Sequence, residues 1–369
     1  MNIKKILNCG AVVKCARGVC LSGAFLSSTA AYAAGTVADT TVTNTFTLDY
    51  SIGSTAQTTI NGAAVTFKVD RVIDLTISSL GEKDVPPSAT GQKIVFLLTN
   101  TGNFPQGYSL VAANLTSGDQ FDVAVTGIKY YSQTVGQGYD QNAVAADYSG
   151  EIGNINPDEA VWVIVHGTIP NAASVSDSDK ATISLLATTL ESATSTLGSP
   201  AAVVVASTSN DMNVTDNVFA DGDGDGAGTA DAVTDGKYYH IESYNITSPN
   251  ITTTKVVSVF KQDGSSGCET IPGTAVSSGF AIPGACIEYV ITVVNGGSID
   301  ADSIVIVDQL RTELIFMAAS TSNFTNVTLV KPDQDTACTG SNCEVKITGA
   351  TLASGGADGK LIIRAKIKN

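Results

Sequence analysis

The run Thr45-Phe46-Thr47-Leu48-Asp49-Tyr50-Ser51-Ile52 decides the fold class, because Phe46, Leu48, Tyr50 and Ile52 alternate one for one with polar residues. Successive side chains of a strand point to opposite faces, so a period of two predicts a half-buried strand and excludes an amphipathic helix, whose apolar residues recur at three and four. Val65, Phe67 and Val69 set against Thr66, Lys68 and Asp70 repeat the pattern, as do Leu361, Ile363, Ala365 and Ile367 against Ile362, Arg364 and Lys366. Gly, Asn, Asp or Pro interrupts the chain about every dozen residues, the punctuation of short antiparallel strands. Residues 181–197 are ambiguous, since Ile183, Leu186 and Leu190 also suit a helix, and are read as strand. The predicted fold class is all-β, as tandem immunoglobulin-like antiparallel β-sandwiches.

The first 33 residues carry Lys4, Lys5, Lys14 and Arg17 and no acid, then an apolar and small-residue run, and end on Ala31-Tyr32-Ala33. This reads as a signal peptide cleaved near Ala33, which makes the protein exported, extracellular or on the cell surface. Lys14 before Cys15 and Val19 before Cys20 argue against lipidation. Losing four bases takes the net charge from −15 to −19. So acidic a surface repels phosphate and attracts cations, which excludes nucleic acid as the expected partner. No later apolar stretch reaches the roughly 20 residues of a membrane helix. Cys9, Cys15 and Cys20 leave with the leader, and Cys268, Cys286, Cys338 and Cys343 remain. Four cysteines allow three pairings, and Cys268 with Cys286 and Cys338 with Cys343 are favoured because each closes a short loop. Their spacing lacks the Cys-x-x-Cys of a zinc site.

An internal repeat sets Val95 to Asn103 beside Val290 to Ser298, both apolar strands ending in an Asn/Gly turn, and Val161 to Ile169 beside Gly359 to Ile367. Two matches in order point to duplicated domains. The segment Ala281-Ile282-Pro283-Gly284-Ala285-Cys286-Ile287-Glu288-Tyr289-Val290-Ile291-Thr292-Val293-Val294-Asn295, followed by Asp302-Ser303-Ile304-Val305-Ile306-Val307-Asp308, resembles the conserved-repeat domain of bacterial surface proteins, domain of unknown function eleven. Gln309-Leu310-Arg311 lacks that family's usual proline, and Cys286 replaces a small residue or threonine. The N-terminal half is more loosely similar to a companion region of such proteins through Val69 to Thr76 and Thr99 to Asn103. The resemblance implies an immunoglobulin-like extracellular module of structural or adhesive use, with no catalytic residues to carry over.

Asp221-Gly222-Asp223-Gly224-Asp225-Gly226, with Asp231 and Asp235 beyond, places carboxylates at alternate positions that can converge on one hard cation. Calcium is the candidate, with Asp221, Asp223, Asp225 and Asp231 as ligands. A calcium loop of the helix-loop-helix kind would need its glutamate at Ala232, and the competing reading is a solvated acidic linker. The only histidines, His166 and His240, exclude a three-histidine metal site and a His-Glu-x-x-His motif. No Gly-x-Ser-x-Gly turn is present either. His166 reads as a strand-edge residue and His240 as a strand residue beside the acidic loop. Trp162 and the pairs Tyr130-Tyr131 and Tyr238-Tyr239 suit either a core or a sugar-stacking platform.

The expected organisation is a signal peptide over 1–33, a β-sandwich region over 34–208, an Asp/Gly-rich connector over 209–250 and a conserved-repeat domain over 251–369. The expected function is a non-enzymatic structural or adhesive protein of a bacterial envelope, partnered by itself or other surface proteins. A carbohydrate-binding accessory module and a hydrolase with an unrecognised site are the alternatives.

Overall fold

Short runs of β-branched and alternating residues produce strands throughout, and the described chain contains no helix. The computed structural model describes residues 35–369 apart from 116, 135, 200, 226–230, 261–267, 269 and 271–280. The signal peptide expected over 1–33 lies outside the described residues. Residues 34–369 form one compact unit, built from two β-sandwiches.

The first sandwich faces one five-stranded sheet against another. One sheet runs, edge to edge, Ala146–Asp147, Ala124–Ser132, Ala160–Thr168, Gln92–Asn100 and Leu75–Ser79. The other runs Ile152–Ile155, Gln106–Asn114, Lys180–Glu191, Lys237–Ile246 and Lys83–Val85. Alternate residues of the facing strands meet inside: Phe96 and Leu98, Val163 and Val165, Ile183 and Leu185, with Tyr108 and Tyr244. Burying one such side chain is worth about 1.5–3 kcal/mol, so the two-residue period is the sequence's instruction for this core. Pairing is antiparallel except that Lys237–Ile246 runs parallel to Lys83–Val85, and Asn217–Phe219 parallel to Arg71–Ile73.

The second sandwich has the five-stranded sheet Ile251–Phe260, Cys286–Asn295, Gly359–Ile367, Leu314–Ser322 and Thr336–Ala337, in that order. It faces the three-stranded sheet Ala301–Gln309, Glu344–Leu352 and Thr328–Val330. Phe316, Val345, Ile347, Leu361 and Ile363 fill the space between. The sheet of the first sandwich that contains Gln92–Asn100 and Ala160–Thr168 and the five-stranded sheet of the second carry corresponding strands in the same order, which is the duplication the internal repeat announced.

Three expectations change. The segment 209–250 is more than a connector, since Lys237–Ile246 pairs over nine positions with Lys180–Glu191 and completes the first sandwich. The acidic run before it hid the strand, because turn-forming Asp and Gly dominate the composition while Tyr238 to Ile246 supplies the ladder. His166 is not at a sheet edge: its strand Ala160–Thr168 lies between Gln92–Asn100 and Ala124–Ser132. The third concerns the opening run. Residues 41–68 form a β-hairpin, Thr41–Asn44 with Val65–Lys68, Thr47–Leu48 with Ile60–Asn61, and Ser51–Ile52 with Thr55–Ala56. It closes on Gly53-Ser54, where Gly53 at φ +59° supplies the backbone that favoured two-residue hairpin turns require. The strand expectation holds there, but the half-buried one does not, because none of residues 41–67 is buried.

Candidate functional site

The acidic corner is assembled from the segment before Lys237–Ile246 and from that strand itself. Asp221 is buried and spends its carboxylate on the chain: its oxygens accept from Gly236 N at 3.0 and 3.1 Å and from Asp235 N at 3.1 Å. Asp225 accepts from Ile241 N at 3.1 Å, and His240 Nδ1 stands 2.6 Å from the same carboxylate. Asp235 pairs with Lys237 Nζ at 2.8 Å. Among the described residues no three acidic, histidine or cysteine side chains stand close enough to hold a metal. Asp221, Asp223, Asp225 and Asp231 are therefore not gathered into the converging set that their alternate spacing suggested. Backbone amides and a histidine have taken the first and third, as happens when a turn satisfies its own polar groups.

Asp231 is the group left over. It is buried, and its Oδ2 has no hydrogen-bond partner. Burial, and then the neighbouring negative charge of Asp235, push its carboxyl up to about 7. Gly224, at φ +58°, passes so close to the strand that a Cβ there would lie 2.0 Å from Tyr239 O, which holds the corner against the sheet.

Neither histidine sits in a catalytic relay. The His240 ring meets Phe96 edge-on at 6.0 Å. His166 Nε2 is buried without a partner, and burial followed by the charges of Lys93 and Lys129 lowers its pKa. No hydroxyl hydrogen-bonds to either ring among the described residues. The aromatic residues are also occupied. Trp162 is only 5% exposed and carries Tyr139 edge-on at 5.6 Å, while Tyr130 and Tyr238 pack on the first core.

Disulfides join Cys268 to Cys286 and Cys338 to Cys343, with Cα–Cα distances of 5.4 and 5.3 Å. Both lie in the second sandwich, and Cys338 and Cys343 belong to its core.

Where the two sandwiches meet, the chain crosses in the four residues Thr247 to Asn250. Asp177 of the first sandwich accepts from Ser248 N at 2.7 Å and from the Ser298 hydroxyl of the second. A cleft of about 650 Å³ opens beside this bond, lined by Val175, Asp177, Pro249 and Gly296 among others.

Two surface features escaped sequence reasoning. One is the hairpin 41–68, which exposes Phe46, Leu48, Tyr50, Ile52, Ile60, Val65 and Phe67. Every hydrogen bond described for residues 42–67 stays inside the hairpin. The other is the outer edge of Ala301–Gln309, which no described strand pairs. Alternation predicts a face that needs covering, and it does not say that the cover belongs to the same molecule.

Comparison with family models and with characterised proteins gives no match. Among solved structures the chain is similar to the C-terminal domain of the Streptococcus agalactiae AgI/II polypeptide BspA, at 8% identity and TM-score 0.31, covering 80% of this chain and 92% of that one. It is similar to the CupB6 tip adhesin from Pseudomonas aeruginosa, at 11% identity and TM-score 0.23, covering 80% and 88%. It is also similar to the secreted serine protease VesC from Vibrio cholerae, at 9% identity and TM-score 0.22, covering 80% of this chain and 47% of that chain. Scores of this size carry no argument about this chain's architecture or activity.

Proposed function

We propose that this chain is an exported structural or adhesive protein of a bacterial envelope, working through contacts between chains and not through catalysis. The observation that carries this reading is the freestanding hairpin 41–68, whose large apolar side chains are exposed as a group. Exposed apolar surface on this scale marks an interaction surface. The two disulfides support a location outside the reducing cytoplasm. The resemblance of residues 281–308 to the conserved-repeat domain of bacterial surface proteins supports the same location. Neither histidine is hydrogen-bonded by a hydroxyl among the described residues, which supports the non-catalytic reading.

Of the four predicted calcium ligands only Asp231 still supports a cation here, through its buried oxygen without a hydrogen-bond partner, and no third ligand stands with it and Asp235 among the described residues. The glycan alternative is weakened by the burial of Trp162, whose ring face is not free to stack on a sugar.

The test is immunolabelling of intact producing cells together with an adhesion assay on cells that lack the chain. Surface label and reduced adhesion or cell-to-cell cohesion are expected. A chain confined to the cytosolic fraction, or cells whose attachment is unchanged, would overturn the proposal.

A further inference from the structure

The first sandwich shows what the second is missing. There, Gln106–Asn114 is paired on one side with Ile152–Ile155 and on the other with Lys180–Glu191, and Lys237–Ile246 lies outside the latter. Lys180–Glu191 and Lys237–Ile246 form a two-stranded antiparallel ribbon that turns Ala181, Ile183, Leu185 and Ala187, all fully buried, into the core. The second sandwich repeats the five-stranded sheet and the pair Ala301–Gln309 with Glu344–Leu352, yet among the described residues no ribbon follows on the free edge of Ala301–Gln309.

The consequence is visible on the strand that a ribbon would cover. Val257 is the cross-strand partner of Tyr289, which packs on the second core, so the two side chains project to the same face. Val257 is nevertheless 54% exposed, and Ile251, six residues earlier on that face, is 42% exposed. Apolar side chains aimed at a core position and left open mark a place built for an occupant.

We propose that hairpin 41–68 of one copy fills this place in the second sandwich of another, one arm pairing with Ala301–Gln309 and the other lying over Ile251–Phe260. Three observations commit the place to a second copy. The hairpin is a two-stranded antiparallel ribbon, the same form as the one that closes the first sandwich. Phe46, Leu48, Tyr50 and Ile52 have the period of two of Ala181, Ile183, Leu185 and Ala187, and the eight residues from Thr45 to Ile52 span about 26 Å against about 30 Å for Ala301–Gln309, at roughly 3.3 Å per residue.

The area is that of a stable interface. From their fractional exposures, and about 150–250 Å² for a large side chain, the seven apolar residues of the hairpin present roughly 700 Å². A specific interface buries about 800 Å² per partner. Charge also selects this pairing. Copies of a chain with net charge −15 repel one another over most of their surface, whereas residues 41–68 carry only Asp49 and Lys68, and the acceptor strands 251–260 and 301–309 carry only Lys255, Asp302 and Asp308, with Lys255 paired to Asp308 at 2.6 Å. Donor and acceptor are different surfaces, so the contact is heterologous and propagates head to tail wherever the rotation between copies does not close a ring.

The proposal rests on the reading of the chain as one that works through contacts between chains. Its test uses two variants at exposed positions, a donor variant Leu48→Asp with Ile52→Asp, and an acceptor variant Ile251→Asp with Val257→Asp. Sedimentation of the purified wild-type chain is expected to show a concentration-dependent series extending beyond the dimer. Each variant alone is expected to associate at least about tenfold more weakly. An equimolar mixture of the two is expected to stop at a dimer, because one donor and one acceptor survive. Melting temperatures check the folds, and if the acceptor pair is unstable, Val257→Lys alone replaces it.

A wild type that stays monomeric at its highest soluble concentration would overturn the proposal. So would an acceptor variant that still self-associates, which would mean hairpin against hairpin, or a hairpin that binds lipid vesicles while the chain remains monomeric. A wild type that stays monomeric while surface adhesion is intact would retire this docking alone. Assembly by a chain found only in the cytosol would retire the envelope role alone.

Discussion

Asn100 and Asn295, at the ends of corresponding strands, make the same three hydrogen bonds. Asn100 Nδ2 donates to Phe104 O at 3.0 Å and Ile155 O at 2.9 Å, and its Oδ1 accepts from Gly102 N at 3.1 Å. Asn295 Nδ2 donates to Ile299 O at 2.9 Å and Leu352 O at 3.2 Å, and its Oδ1 accepts from Gly297 N at 3.1 Å. Each amide ties a strand end to its own turn and to the end of a strand in the facing sheet. A buried side chain with this many partners specifies one register and one corner.

Replacing Asn100 by alanine strands two carbonyls and an amide, and replacing Asn295 strands a second amide as well, that of Asn250 at 3.2 Å; leaving such groups unsatisfied costs about 1–3 kcal/mol each. Asn295→Ala should lower the unfolding transition of the second sandwich and leave that of the first in place, and Asn100→Ala should do the reverse. Urea melts followed on fragments released by limited proteolysis would separate the two. A single transition lowered equally by both variants would count against independent corners.

Gly297 should tolerate no side chain. A Cβ there would lie 2.1 Å from Ser248 O, as one on Gly102 would lie 2.3 Å from Val72 O. Both contacts are with backbone, which cannot swing aside, so Gly297→Ala is expected to destabilise by more than about 2 kcal/mol. Calorimetry decides this.

Arg71 is fully buried, and its guanidinium donates to Glu191 Oε1 at 2.7 Å and Gln106 Oε1 at 2.5 Å, with Phe104 stacked 5.0 Å away. Removing the acid leaves a buried cation uncompensated, a change worth about 3–5 kcal/mol. Glu191→Ala should therefore be among the most destabilising substitutions in the first sandwich, with Glu191→Gln less severe because it keeps the hydrogen bond. Equal melting temperatures for Glu191→Ala and wild type would refute the pair's role.

Asp177 sets an acid limit on the junction. Burial alone would raise its pKa, but hydrogen bonds from Ser298 and Ser248 outweigh it and hold the carboxyl below its ordinary 3.8. A depressed folded value contributes stability above the unfolded pKa that is lost as pH falls through the folded one. The link between the sandwiches should loosen only below about pH 4, and Asp177→Ala should loosen it at neutral pH. Small-angle scattering or proteolysis near Thr247 would report both.

Asp231 has the opposite sign. With its carboxyl raised to about 7, its contribution is full below the unfolded value of 3.8 and fades as pH rises through 7. The melting temperature should fall between pH 4 and pH 8, and Asp231→Asn should flatten that fall. Calcium at pH 8 should restore the wild type and leave Asp231→Asn unchanged; no response of the wild type would remove the metal from the account.

The sequence by itself determined that the described residues fold as strands without helix, because a period of two in Leu361, Ile363 and Ala365 can be satisfied only by one buried face. It also showed the duplication, visible in the recurrence of Asn100-x-Gly102 as Asn295-x-Gly297, and favoured the local cysteine pairings that the structure contains. The reach of the first sandwich to Ile246 was decided by tertiary structure, since the ladder between Lys237–Ile246 and Lys180–Glu191 joins residues separated by an acidic turn with no local mark of pairing. The fate of the acidic run was decided there too. Carboxylate spacing is a property of the chain, whereas Asp221 facing Gly236 and Asp225 facing His240 depend on what folding brings alongside. Burial most of all belongs to the whole molecule: Phe46, Leu48, Tyr50 and Ile52 have the pattern of a covered face, and only the path of the surrounding chain leaves them in water.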